Sequence, residues 1–150
     1  MKFRYTTYQC EPSAANPAGV IVRPKVLLNI VGPKGDLFDL ALVDTGADHT
    51  TLPMSIAEEL GIELIDEHAT RSSGFSGEEI DTIPGNVELA IVGPDTEVRW
   101  RTCVYFARFP DETKEGCILG RVGGLQFLAA LFNGEQEELT LKANAQLPGN

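Results

Sequence analysis

Most apolar stretches in this chain are short, rich in β-branched residues and bounded by Gly, Pro or Asn, the pattern of strands joined by turns. "VIVRPKVLLNI", residues 20–30, is apolar and β-branched but interrupted by Pro24, which predicts an edge strand or a bend. "GPKGD", 32–36, reads as a turn, and "LFDLALVD", 37–44, as the strand that returns from it. "NVELAIV", "EVRWRTCVYFAR" and "CIL" are further strands, separated by "GPD" and "FPDETKEG", and "EELTLKA", 137–143, is the last. "SIAEELG", 55–61, predicts one or two helical turns, with Ser55 as cap, Glu58 three residues later and Gly61 as terminator. A second short helix is predicted over "GLQFLAALF", 124–132, whose unbranched apolar residues stop at Asn133-Gly134. "ATRSSGFSGEEIDTIPG", 69–85, is polar, with a glycine on each side of Phe75-Ser76, and reads as a mobile hairpin.

At the N-terminus, "KFRYTTY" alternates loosely and reads as an extended arm, and "EPSAANPAG", 11–19, as a connector. The expected organisation is therefore an arm and connector over 1–19 and one domain over 20–150. No internal repeat or low-complexity segment interrupts it. The fold class is all-β for the most part, with one or two short helices on a closed or strongly bent sheet.

Composition narrows the partners more than the fold. The chain has 150 residues, which suits one domain, and its net charge is −10. That charge argues against nucleic acid, whose phosphates need basic surface, and against an anionic membrane. No apolar run approaches the length of a membrane span, and "MKFRYTTYQCEPS" lacks the apolar core of a signal peptide. A cytoplasmic location is expected. Cys10, Cys103 and Cys117 are odd in number and lack paired spacing, and the only histidines are His49 and His68. Neither a disulfide framework nor a metal site is expected, and no cofactor is implied.

One stretch breaks the strand pattern chemically. "LVDTGADHTTLP", 42–53, carries an apolar run directly into Asp44, followed by Thr45 and Gly46. An Asp in such a place caps a turn by accepting backbone N–H bonds, or it is held rigidly for chemistry at the rim of a core. Gly46 allows close backbone approach, and the Thr45 hydroxyl can fix a neighbour. A second element, "CILGRVGGLQFL", 117–128, brings two apolar residues to Gly120 and Arg121 before the predicted helix.

Together these segments resemble the retroviral-type, or retropepsin-like, aspartic proteases, in the manner of a cellular or bacterial single-domain member. "DTGA", with Asp48 and Thr50 after it, is similar to the family's active-site segment. "ILGR" is similar to its second signature, and "RPKV", 23–26, to the Arg-Pro stretch before its first hairpin. The resemblance implies a closed acid-protease-type β-barrel with a flap hairpin, and an endopeptidase that hydrolyses extended peptides with a water activated by two carboxylates sharing a proton. It also implies these roles: Asp44 catalytic; Thr45, Gly46 and Ala47 in the active-site turn; Asp48 paired with Arg121 behind it, next to Gly120; Gly74, Phe75, Ser76 and Gly77 at the flap tip over the substrate. Arg23 of a second copy is expected to join the Asp48–Arg121 pair.

Only one Asp-Thr-Gly occurs in the chain, because Asp81-Thr82-Ile83 and Asp95-Thr96-Glu97 lack the glycine. The second carboxylate is therefore expected from Asp44 of another copy, in a homodimer. The acidic flap, the helix after the catalytic turn and the apolar residue after Gly120-Arg121 depart from the viral pattern. The alternatives are a non-catalytic dimerisation or peptide-binding module on the same fold, and a small barrel with a chance triplet.

Overall fold

In the computed structural model, residues 1–73, 77, 79–109 and 116–149 are described. The N-terminal arm is two strands, β1 (Lys2–Arg4) and β2 (Thr6–Gln9), broken at Tyr5. β2 pairs antiparallel with β3 (Val20–Arg23), and β3 gives way to β4 (Lys25–Gly32) across Pro24. Pro24 has no N–H to donate, but its carbonyl accepts the Val43 N–H at 2.9 Å. β4 turns at Pro33-Lys34 into β5 (Gly35–Val43), as the sequence predicts. Next come β6 (Thr51–Pro53) and α1 (Met54–Leu60). The hairpin predicted over 69–85 is formed by β7 (Thr70–Ser73) and β8 (Glu79–Val92), in register from Thr70–Thr82 to Ser73–Glu79. Its tip residues Gly74, Phe75 and Ser76 lie outside the described residues. β9 (Glu97–Ala107), β10 (Cys117–Leu119), β11 (Leu128–Asn133) and β12 (Glu138–Ala143) complete the chain.

Six strands close on themselves in the order β4-β5-β10-β6-β9-β8, with β8 pairing back to β4, and β7 extends the sheet beyond β8. The result is a closed, all-β barrel. Alternation explains its core: Val26, Leu28 and Ile30 of β4 point inward and are nearly solvent-free, as are Leu89 and Ile91 of β8 and Trp100 and Phe106 of β9. A second sheet, β1-β12-β11, lays Leu139 and Leu141 against that core.

Two local expectations change. Helix α1 begins one residue before the expected Ser55 cap, with Pro53 at the cap position and no side-chain cap bond. Its stop is as expected: Gly61 adopts the left-handed conformation, φ 64, that favours glycine. The helix predicted over 124–132 is absent. A 3-10 turn, Leu125–Phe127, leads instead into β11, which pairs with β12 from Leu128–Ala143 to Asn133–Glu138. Unbranched residues favour a helix locally, but the β12 partner satisfies the backbone as a hairpin and overrides that propensity. Asn133-Gly134 is then a hairpin turn rather than a helix stop, and Asn133 Oδ1 accepts the Gln136 N–H at 3.0 Å.

Charges on the outer barrel face form a cross-strand cluster. Glu88 accepts from Arg99 at 2.8 Å and Arg101 at 2.9 Å, and Arg99 also pairs with Glu97 at 2.8 Å. The Arg101 and Arg99 bonds hold the Glu88 carboxyl below its ordinary value of 4.5. A carboxylate with a lowered folded-state pKa stabilises the fold above its ordinary pKa, and that stabilisation is lost as pH falls through the lowered value. Replacing Glu88→Gln is expected to cost about 0.5 kcal/mol near neutral pH, because the arginines are well hydrated. The difference from the parent should vanish once pH drops below 4.5 and past the lowered pKa, as read by urea denaturation at a series of pH values.

Candidate active site

Asp44 stands where β5 ends, held by its pairing with β10. The two strands run parallel, with Cys117, Ile118 and Leu119 opposite Ala41, Leu42 and Val43. The Asp44 N–H extends that ladder by bonding the Leu119 carbonyl at 3.1 Å. The carboxylate then turns back on its own loop, where Oδ1 accepts the Gly46 N–H at 2.8 Å. The Ala47 N–H closes the turn on the Asp44 carbonyl at 3.3 Å. Asp44 is half-buried, while Thr45 and Gly46 at the apex are exposed. The apolar run thus ends on a carboxylate whose orientation is fixed by a main-chain donor and whose face remains open.

Gly46 earns its place by close approach, not by a left-handed φ. A Cβ there would sit 3.2 Å from Asp44 Oδ1, crowding the oxygen that the Gly46 N–H holds. Gly120 is more constrained. A side chain at this position would run into the His49 and Ala47 carbonyls, so the "ILGR" corner can pass under the loop only as glycine.

The two signature segments do meet, but through the main chain. The Arg121 N–H bonds the Ala47 carbonyl at 2.9 Å, and the Val122 N–H bonds the Asp48 carbonyl at 2.9 Å. The Thr50 N–H returns to the Val122 carbonyl at 2.8 Å. The expected Asp48–Arg121 side-chain pair is not formed: no ion pair joins them among the described residues, and both side chains are exposed. Backbone bonds already lock the segments together, so a single chain needs no ion pair there.

Three supports hold the loop from behind; of these the sequence pointed only to Thr50, as part of the active-site segment. Thr50 is fully buried and its hydroxyl reaches the Gly120 carbonyl at 3.4 Å. Trp100 donates its indole N–H to the Gly123 carbonyl at 2.9 Å, tying the corner after Arg121 to β9. Tyr105 meets His49 edge-to-face at 4.9 Å and donates its N–H to the Thr50 carbonyl at 3.1 Å.

At the hairpin, Gly77 has φ 77, so it suits a tight tip. Arg71 spans the two hairpin strands, pairing with Glu79 at 3.1 Å and Asp81 at 3.3 Å. Two of the acidic hairpin residues are thereby matched rather than presented bare. A cavity of about 180 Å³ lies beside the loop, lined by His49, Thr50, Pro84, Cys103, Val104, Tyr105 and Val122. Among the described residues no group of three or more His, Cys, Asp or Glu is placed to hold a metal ion. No helix among them is long and apolar enough to cross a membrane.

The family model for aspartyl proteases matches residues 36–121, from the start of β5 through Asp44 to Arg121. The chain belongs to the aspartyl protease family. Solved structures similar to this aspartyl protease include the EIAV protease complexed with the inhibitor HBY-793, at 24% identity over 66% of this chain and 82% of that one, TM-score 0.41. Another is a retropepsin-like aspartic protease from Rickettsia conorii, at 14% identity over 91% of each chain, TM-score 0.45. No curated protein matches the chain.

The Gly120 corner of this aspartyl protease gives a direct test. Gly120→Ala is expected to cost about 3 kcal/mol, since the added methyl meets rigid backbone rather than a side chain that can move. The urea midpoint should fall accordingly, and peptide hydrolysis should fall with it as the loop is pushed out of place.

Proposed function

We propose that this aspartyl protease is a homodimeric endopeptidase whose active site forms where Asp44 of one copy meets Asp44 of another. One observation carries the reading: the chain has a single Asp-Thr-Gly, and its carboxylate is fixed by Gly46 at a loop whose apex is open. A lone carboxylate cannot act as base and acid in the same step. Two that share one proton can. The ionised member takes a proton from a bound water, which attacks the scissile carbonyl. The protonated member donates a hydrogen bond to the carbonyl oxygen as it gains charge. A proton then passes to the leaving amine as the carbon–nitrogen bond breaks. No covalent intermediate forms.

In this reading Thr45 lies near the two-fold axis, and Gly46 and Ala47 present backbone to the substrate. Asp48, exposed in the single chain, is free to pair with Arg121, and Arg23 of the second copy joins them once two copies assemble. Gly120 holds the corner behind them. The β7–β8 hairpin is the flap, with Gly74, Phe75, Ser76 and Gly77 at its tip over an extended peptide. The Arg71 bridges across its strands support a flap that swings as one body.

Unfolded casein should be cleaved by the purified protein between about pH 4 and 7, the range that suits a shared-proton pair. Asp44→Asn should lower the rate on the order of 10⁴-fold while sedimentation still shows the dimer. Cleavage by that variant at the parent rate would overturn the aspartic mechanism. A dimer that binds peptides but cleaves none would leave the binding-module reading in its place.

A further inference from the structure

The strand that delivers Asp44 has an unusual outer face. Alternation sends Ala41 and Val43 of β5 into the core and turns Phe38, Leu40 and Leu42 the other way. An antiparallel pair with one face in water is ordinarily polar on that face. Here Phe38 is 55% exposed and Leu40 40%. Across the β4–β5 pair, Leu27 stands opposite Leu40 and is 37% exposed. Directly opposed residues in such a pair are close neighbours, so Leu27, Leu40 and Phe38 form one apolar strip. Scattered apolar residues are ordinary on a surface, whereas a contiguous group marks a contact.

The strip has a charge at each end. Lys25, opposite Leu42, stands at the end nearer Asp44, with its ammonium 5.1 Å from the centre of the Tyr8 ring. Among the described residues no carboxylate forms an ion pair with Lys25, whereas Lys2, Arg71, Arg99, Arg101 and Arg108 are each held by one. Beyond Phe38, at the far end, Asp36 is exposed on the same side.

We propose that this strip is an auxiliary substrate track. It takes the part of a peptide that lies outside the Asp44 site, with apolar side chains over Leu27, Leu40 and Phe38 and a carboxylate at Lys25. The proposal rests on the endopeptidase reading of Asp44 and adds a substrate preference to it.

Continuity with the site favours the substrate as the occupant. The Asp44 N–H carries the β5–β10 ladder on to the Leu119 carbonyl, so the extended path runs unbroken from Phe38 to Asp44. Six residues at about 3.3 Å each place Phe38 roughly 20 Å from Asp44, a span that about six residues of an extended peptide cover. A chain held at Asp44 therefore reaches the strip without leaving the surface. Charge sets the composition of that chain. In a protein of net charge −10, the unmatched Lys25 attracts a carboxylate, and Asp36 repels one placed past Phe38.

The test begins by locating the bond cleaved in casein by mass spectrometry. A short peptide spanning that bond is then compared with the same peptide extended, at one end or the other, by about six residues. The extension carries Glu, Leu and Leu at alternate positions with Ser between, and a control carries Lys in place of Glu. For the parent, the Glu extension at one end should lower KM on the order of 10-fold with kcat unchanged, and the Lys extension should lower it less. Phe38→Thr with Leu40→Thr should remove the gain and leave the short peptide's kcat and KM at parent values, since threonine suits an exposed strand. Lys25→Glu should reverse the preference between the two extensions. Extensions that leave the parent's KM unchanged, or a gain that survives the paired threonines, overturn the track. The fluorescein-labelled Glu extension on its own should bind the Asp44→Asn protein more tightly than the Lys one, read by anisotropy. If that order holds while the parent cleaves nothing, the endopeptidase reading falls and the track stands.

Discussion

The parallel pairing of β5 with β10 is the contact on which the site depends. It joins residues 41–43 to 117–119, distant in sequence, and hands the ladder on from Val43 to Asp44 through the Leu119 carbonyl. Leu119 itself is fully buried, so the carbonyl that holds Asp44 is anchored in the core. The same pairing brings Gly120 beneath the Asp44 loop, where only a glycine passes, and places Arg121 and Val122 to bond Ala47 and Asp48. A fixed carboxylate at a protein surface is costly to arrange with side chains alone. Here the backbone does it, and the Asp48 and Arg121 side chains stay exposed.

That arrangement also ties the Asp44 corner to the second sheet. From Gly120 the chain runs through one 3-10 turn directly into β11, so the corner under Asp44 and that sheet's edge strand belong to one continuous backbone path.

Much of this was legible in the residues. The β4–β5 hairpin, the carboxylate at its end and the "ILGR" corner stand out because β-branched runs, turn glycines and a polar residue ending an apolar strand each leave a local mark. What escaped the sequence was decided by distant partners. Residues 124–132 carry a helix-compatible composition, and only β12 makes Leu128–Asn133 a strand. Asp48 and Arg121 were expected to pair through their side chains, and main-chain bonds join their segments instead. Thr50 and Trp100 support the loop through the Gly120 and Gly123 carbonyls, contacts that no spacing rule announces.

The central claim is that each active site uses Asp44 from two copies. The most direct measurement is casein cleavage at constant total protein as wild type is mixed, under subunit exchange, with increasing Asp44→Asn. If both carboxylates are needed, mixed dimers are inactive and the rate falls as the square of the wild-type fraction. A rate that falls only in proportion to the wild-type fraction would mean that each Asp44 acts alone, and would contradict the account.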